Sequence, residues 1–381
     1  MRTLFALAAA LILLAAPAPA SIFTPRVVDG DEDAGEYLWL AFDAQGRPHV
    51  SYYVRSLGVL RLAVRDGGTW NTATIDGLAP GADVGGYTHL AFDPDGAPHI
   101  VHYDWADGDF EHAWRTDQGW QTETIASDGI VGRYGNLHFT PAGAARAVFY
   151  DEQDGDLEYA ENDGTGWQLS TIDAAGDVGI KVRSTLDADG FVIAAYYDAT
   201  NTALKLARQT ASGWEIETVD DGRGHDVGSY ASVLLDAQGR PWISHYNATT
   251  GNPELAWSDG TSWNFQVIED GPNQAGWFSS LQFDRGGRPV VAYFDLTAGD
   301  PVVARRTDVG WEYDRIVSPR GDPVEGRHVA LRVDDQNAVR IAFWDETNGA
   351  LRFAEAPLPV ATPVRSLGGL KARFRGGGRP R

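Results

Sequence analysis

The chain has 381 residues, no cysteine and a formal net charge of −22 at pH 7. An acidic balance this strong repels phosphate backbones and anionic membranes, so we expect no nucleic-acid partner. Without disulfides, stability must come from a large continuous core. The 44 glycines and the 11% aromatic content favour short strands joined by tight turns, which predicts an all-β protein.

The N-terminus is typical of an export signal. Arg2 precedes an apolar run over residues 4–16, and small residues follow at 18–20. We therefore assign residues 1–20 to a signal peptide and expect a protein that is secreted or held at the cell surface. The apolar run is too short to span a membrane, and no later run is long enough.

An internal repeat governs the rest of the chain. A turn of the form Asp-x-x-Gly, with threonine replacing aspartate once and asparagine replacing glycine in the last copy, recurs every 47 to 50 residues, at Asp43, Asp93, Thr140, Asp187, Asp236, Asp284 and Asp334. A period of this length indicates repeated supersecondary units that stack on one another. Each unit reads as four short strands separated by Gly, Asp and Pro turns.

Seven such units predict a seven-bladed β-propeller over residues 21–356, because a four-stranded sheet with two apolar faces must stack on its neighbours. The last unit lacks a fourth strand after residues 351–354. Residues 23–29 resemble the fourth strands of other units. We therefore expect the N-terminal strand to complete the last blade and close the ring.

Two recurrent residue types are assigned structural roles. The fourth strands carry a matching tryptophan, which we interpret as packing between blades, with a carbohydrate-binding array as the alternative. These are Trp70, Trp120, Trp167, Trp214, Trp263 and Trp311. An Asp or Asn that ends most second strands is expected to set the following turn. Those residues are Asp104, Asp151, Asp198, Asn247, Asp295 and Asp345.

The candidate site lies where each innermost strand begins. All seven units have a glycine there: Gly35, Gly85, Gly132, Gly179, Gly228, Gly276 and Gly326. The residues two positions later are expected to encircle one mouth of the central channel. They are Tyr37, Tyr87, Tyr134, Lys181, Tyr230, Phe278 and His328. The same side chains could instead only fill the channel.

The residues around this ring differ from unit to unit, as expected of a binding surface on a repeat scaffold. We add Arg133, Arg183, Trp277 and Arg327 to the candidate ligand-binding residues. The hypothesis is a binding module that recognises a glycan or an extracellular protein at the channel mouth. The alternatives are a sialidase-like hydrolase or lyase, and a structural surface propeller without a small ligand.

Cofactor signals are weak. The histidines occupy scattered positions, and no pair has metal-ligand spacing, so we predict no metal site. The recurrent aspartates could form a calcium site, but no unit has the alternating oxygen spacing of an EF-hand loop. We therefore expect no cofactor, with calcium as the one alternative, and no catalytic residue is assigned.

The turns before the fourth strands resemble the Asp-box of sialidase-type propellers. They read Thr307-Asp308-Val309-Gly310-Trp311, Thr116-Asp117-Gln118-Gly119-Trp120 and Ser258-Asp259-Gly260-Thr261-Ser262-Trp263. The resemblance covers only these turns and implies the propeller fold. A sialidase would also need three arginines for the substrate carboxylate, for which Arg133, Arg183 and Arg327 lie near the predicted mouth. The whole repeat also resembles exported bacterial propeller-repeat proteins without an assigned activity.

The C-terminus differs from the body in composition. Residues 357–364 are uncharged and rich in proline, which predicts an extended linker. Residues 365–381 hold six basic residues and no acid. We interpret this segment as a basic tail that could retain the protein at a surface, fold back on the acidic body or stay disordered. We expect a monomer.

Overall fold

The computed structural model describes residues 22–31, 33–316 and 326–358. The predicted signal peptide, all but the first two residues of the predicted linker, and the basic tail lie outside these ranges. Within them, short stretches of alternating or continuous apolar residues form 28 strands. In chain order the strands are β1 Arg26–Asp29, β2 Ala34–Phe42, β3 Pro48–Val54, β4 Val59–Asp66, β5 Thr69–Asp76, β6 Val84–Phe92, β7 Pro98–Asp104, β8 Phe110–Thr116, β9 Gly119–Ala126, β10 Val131–Phe139, β11 Ala145–Asp151, β12 Asp156–Asn162, β13 Gln168–Asp173, β14 Val178–Leu186, β15 Val192–Asp198, β16 Ala203–Thr210, β17 Gly213–Asp220, β18 Val227–Leu235, β19 Pro241–Asn247, β20 Asn252–Ser258, β21 Trp263–Val267, β22 Ala275–Phe283, β23 Pro289–Asp295, β24 Asp300–Thr307, β25 Gly310–Arg315, β26 Gly326–Val333, β27 Ala338–Asp345 and β28 Ala350–Pro357.

These strands form seven antiparallel four-stranded sheets arranged as a ring, which confirms the predicted propeller. We number the sheets as blades I to VII in chain order. Blades I to VI consist of β2–β5, β6–β9, β10–β13, β14–β17, β18–β21 and β22–β25, and blade VII of β26–β28 with β1. The one helical element among the described residues is a 3₁₀ turn at Gly222–Gly224, and no helix there could cross a membrane.

The N-terminal strand closes the ring, as predicted. Strand β1 pairs with β28, with Arg26 opposite Phe353 and Asp29 opposite Leu351. Because β1 precedes blade I along the chain and pairs inside blade VII, the two ends of the ring are fastened by backbone hydrogen bonds. Leu358, just beyond β28, is buried in the apolar cluster between blades VI and VII.

The core is divided among the seams between blades. Within the described ranges, buried apolar side chains form seven clusters, each shared by two adjacent blades. The fourth-strand tryptophans are partly buried and pack against these clusters. Trp167 also donates its indole N–H to Glu123 of the preceding blade at 2.8 Å. The geometry supports the structural interpretation of these tryptophans.

The polar residues of the repeat set its turns. The carboxylate of Asp43 accepts the backbone N–H groups of Gln45 and Arg47 at 3.0 and 2.8 Å, and equivalent bonds recur at the other anchors. At the end of the second strand, Asp151 accepts the N–H groups of Gln153 and Asp154. Asn247 Oδ1 accepts the backbone N–H groups of Thr249 and Thr250 in the same way. The structure therefore agrees with the turn-setting role expected for the Asp or Asn that ends the second strands, and the anchor residues set the first turn in the same way.

Candidate functional site

The seven residues expected to encircle the channel mouth, here called the ring residues, share an uncommon backbone conformation. Tyr37, Tyr87, Tyr134, Lys181, Tyr230, Phe278 and His328 all have φ between 50° and 57°. The left-handed region is costly for bulky side chains, so it persists only where the surrounding structure enforces it. Here the pairing of strands one and two shifts register at this point in every blade. The resulting bulge turns each of these side chains toward the channel.

The glycine two positions earlier is required by close packing as well as by its own positive φ. A Cβ atom on Gly85 would lie 2.9 Å from the Cα atom of Leu60 in the preceding blade. On Gly132 it would lie 2.4 Å from the Cβ atom of Phe110. The innermost strand therefore starts directly against the previous blade, which brings the ring residues of neighbouring blades together.

The ring side chains contact one another around the channel. The centroid of the Tyr37 aromatic ring lies 4.4 Å from that of Tyr87 and 4.6 Å from that of His328. Tyr87 and Tyr134 are 4.5 Å apart. On the other side, the Nζ atom of Lys181 lies 3.9 Å from the centroid of Tyr230. Tyr230 also contacts Phe278, and Phe278 contacts His328, at centroid distances of 4.8 and 4.5 Å. Together the seven side chains make an aromatic collar with one cation, Lys181, in it.

A cavity of about 270 Å³ lies inside this collar. Its wall includes all seven ring residues, which are partly exposed, and extends down the channel to Trp39 and Arg183. None of the described residues that line it is an aspartate or glutamate. The cavity is therefore aromatic and basic, although the chain as a whole is strongly acidic.

The cations of the channel have few polar partners. Arg183 donates only to the carbonyl oxygen of Val182, at 3.4 Å, and Lys181 reaches Ser229 Oγ at 3.5 Å. Burial lowers the pKa of Lys181 to about 8 and that of Arg183 to about 10. Arg183 and Arg332 both lie over the ring of Trp39, at 5.1 and 4.5 Å from its centroid. Among the described residues, no carboxylate oxygen lies within 4 Å of any of these three cations.

Three predicted ligand-binding residues lie on the rim and do not line the cavity: Arg133, Trp277 and Arg327. Arg133 pairs with Glu152 and Arg327 with Glu346, in both cases with the residue that follows the second strand of the same blade. In blade I the charges are reversed, with Glu36 binding Arg55 through two hydrogen bonds of 2.6 and 2.5 Å. In blades I, III and VII a charged residue at this position is therefore matched by an opposite charge in the same blade.

The acids that precede the glycines fasten adjacent blades. Tyr150 donates to Asp177 at 2.7 Å and Tyr197 donates to Asp226 at 2.9 Å, each across a seam.

The histidines lie elsewhere. Near the first turn of blade I, His49 contacts Asp43 at 3.0 Å, away from the collar. His99 lies 2.9 Å from His112, a pair that its sequence spacing did not indicate.

Two groups of side chains escaped the sequence analysis. Trp39 lines the cavity and Arg332 lies over the Trp39 ring, both from deeper positions of the innermost strands, where the seven copies have no common residue. Asp220, His245 and Glu254 meet at the seam between blades IV and V, with their ligand atoms within 4.8 Å of one another. Comparing residues opposite each other in strands two and three would have paired His245 with Glu254, whereas Asp220 joins them only through the packing of blade IV on blade V.

No protein-family model matches the chain, and no curated protein matches it. Solved structures do. A protein of unknown function from Dyadobacter fermentans has 12% identity and a TM-score of 0.51, over 88% of this chain and 98% of that one. YCF48 from Cyanidioschyzon merolae has 13% identity and a TM-score of 0.54, over 87% and 98%. The NanB sialidase from Streptococcus pneumoniae has 12% identity and a TM-score of 0.47, over 87% and 70%.

Identities this low show a shared propeller fold alone. No activity of these proteins is thereby transferred to this chain. Fold and site together define a seven-bladed propeller with an aromatic, basic cavity at one mouth of its channel.

Proposed function

We propose that this protein is an exported binding module that holds an acidic glycan in the collar cavity. The observation that carries the proposal is the placement of Lys181 and Arg183 in an aromatic wall with no described carboxylate within 4 Å. A buried cation is normally paired, because desolvation of an unpaired charge is costly. An anionic ligand would supply the missing partner.

The aromatic collar supports a sugar as the carrier of that charge. Tyr37, Tyr87, Tyr134 and Tyr230 offer apolar ring faces together with hydroxyl groups, which suits the apolar faces and hydroxyls of a pyranose. Ser232 and Ser280 add polar groups to the wall. A carboxylate or sulfate on the sugar would then meet the two cations.

We favour binding over hydrolysis because of what surrounds the cavity. A glycosidase commonly uses two carboxyl groups about 5–10 Å apart across the scissile bond. No Asp or Glu belongs to the described wall, and the rim carboxylates of Glu36, Glu152 and Glu346 are all paired with arginines. Export rests on residues 1–20 and is part of the proposal.

A glycan array tests the proposal, followed by calorimetry on any binder. We expect sugars with a carboxylate or sulfate to bind, and the double variant Lys181→Gln, Arg183→Gln to lose at least about tenfold in affinity, because a charge-assisted hydrogen bond contributes about 1.5–3 kcal/mol. Arg208→Gln is the control, since Arg208 lies on β16 away from the cavity. Equal binding of neutral and acidic sugars, or no binding at all, would contradict the proposal.

A further inference from the structure

Three seams of the propeller contain a related polar arrangement, which is largely buried in two of them and partly buried in the third, where the cation comes from the fourth strand and not the third. A tyrosine from strand two donates to an acid that the preceding blade supplies, and a basic side chain neutralises that acid. The sets are Asp29 with Tyr52 and Arg61, Asp173 with Tyr196 and Lys205, and Glu269 with Tyr293 and Arg315. Each seam therefore holds a carboxylate together with a cation.

The seam between blades IV and V keeps this geometry but changes the residue types. Tyr196 stands opposite Lys205 in blade IV, and at the same positions of blade V His245 stands opposite Glu254. The acid at the end of the preceding blade, Asp220, is retained. The place of the cation is thus taken by a second carboxylate, and no described Lys or Arg pairs with either acid.

His245 is the second observation that points to a ligand. Its side chain is completely buried, and neither ring nitrogen has a hydrogen-bond partner. Buried polar groups are nearly always satisfied, so an unpartnered imidazole facing two carboxylates needs an explanation. A bound ion would satisfy all three groups together.

The two carboxylates are already held in position. Asp220 accepts the backbone N–H of Gly222 through Oδ1 at 2.9 Å, and Glu254 accepts from Asn247 Nδ2 through Oε1 at 2.9 Å. One oxygen of each group is therefore occupied and the other remains available. Ligands at metal sites are typically oriented by such outer hydrogen bonds.

We propose that Asp220, His245 and Glu254 bind a divalent transition-metal ion of the Zn²⁺ class, in the place that the Lys205 ammonium occupies one seam earlier. One imidazole nitrogen and two carboxylate oxygens form a donor set suited to zinc, whereas calcium and magnesium prefer oxygen ligands alone. Because the ligands come from two blades, the ion would fasten blade IV to blade V. The collar cavity has no part in this site.

The seam between blades I and II carries the same residue types, Asp76, His102 and Glu111, with His102 Nε2 3.5 Å from Asp76 Oδ2. Because that seam could also take up an ion, the experiment compares the number of Zn²⁺ ions bound by the wild type with the number bound by variants of Asp220, His245 and Glu254. The whole chain is stripped with EDTA, dialysed and titrated with ZnCl₂ by calorimetry, and Co²⁺ absorption reports the ligand field.

The decisive variant installs the blade IV pair, His245→Tyr with Glu254→Lys. We expect it to bind one Zn²⁺ fewer than the wild type and to lose the Co²⁺ spectrum of this site, while melting in EDTA at or above the wild-type temperature. Asp220→Asn with Glu254→Gln, which nearly preserves shape, should lose the same equivalent. Glu158→Gln is the matched control, because Phe149 stands opposite Glu158 in blade III, and it should keep the wild-type stoichiometry.

A wild-type chain that takes up no Zn²⁺ at 100 times the protein concentration would overturn the proposal. So would unchanged stoichiometry in both double variants. Failure of glycan binding would leave this result untouched, because the two sites share no residue.

Discussion

The indole of Trp105 occupies the space that Gly86 leaves vacant: a Cβ atom on Gly86 would lie 2.6 Å from Trp105 Nε1. The two residues hold the positions that carry the Arg–Glu pairs of blades I, III and VII. Size complementarity thus replaces charge complementarity in blade II.

Gly86→Ala tests this relationship. Gly86 does not have a positive φ, so the backbone should accept alanine. The cost should come from displacing Trp105. We expect a loss of about 1–3 kcal/mol in the free energy of unfolding, typical of overpacking, with a shift in tryptophan fluorescence. Gly271→Ala is the control, because Gly271 is exposed, has no positive φ, and a Cβ atom there would meet no atom within 4 Å. It should change stability by less than about 0.5 kcal/mol. Equal effects in urea unfolding would contradict the interpretation.

Asp29→Ala tests how the ring is closed. Asp29 on β1 accepts from Tyr52 at 2.6 Å and from Arg61 at 2.8 Å, both in blade I. Its removal leaves two buried donors without this acceptor, so we expect a loss of about 2–3 kcal/mol. Asp31, which also pairs with Arg61 but has a side chain 58% exposed, provides the comparison. Asp31→Ala should cost less than about 1 kcal/mol. If it destabilises as much as Asp29→Ala, the buried bonds are not what fastens the ring.

Trp167→Ala separates the two interpretations of the tryptophan series. Trp167 packs against the cluster between blades II and III and donates to Glu123. We expect a lower melting temperature and a loss of about 2–3 kcal/mol, because a large apolar wedge leaves the seam. Trp167→Phe should recover most of it. Glycan affinity should be unchanged in the alanine variant, and a selective loss of affinity would support the carbohydrate array instead.

The raised pKa of Glu111 predicts that the stability of the protein depends on pH. Burial raises the pKa of Glu111 to about 7, helped by Asp109, Asp104 and Asp76 and opposed by a hydrogen bond from Thr124. The folded state therefore binds a proton between about pH 4.5 and 7 that the unfolded chain releases, so this residue's contribution to stability falls as the pH rises through that range.

Glu111→Gln removes that penalty while keeping an oxygen for Thr124. In EDTA we expect the variant to be more stable than the wild type by about 1–2 kcal/mol at pH 8, which is less than the full pKa shift implies because the side chain is partly exposed and solvent screens its charge. The two should match at pH 4.5. Thermal melts at both pH values measure this. A stability gain that is equal at the two pH values would show that ionisation of Glu111 is not its cause.

The sequence by itself determined the ring. Asp43 and its counterparts, the glycine before each innermost strand and the missing strand after residue 354 are local or periodic signals, and a sheet with two apolar faces has to stack. Closure by residues 23–29 followed from counting strands. Even the collar could be located, because Gly35-x-Tyr37 and its equivalents recur at one position of the repeat.

Only the tertiary structure decided which side chains share a space. Arg133 and Arg327 pair with glutamates that lie 19 residues further along the chain, so they sit on the rim, while Arg332 reaches Trp39 from another blade. Asp220 meets His245 and Glu254 only because blade IV packs on blade V. Such contacts depend on the path of the backbone between distant residues, and a repeat pattern fixes the positions of side chains without fixing their partners.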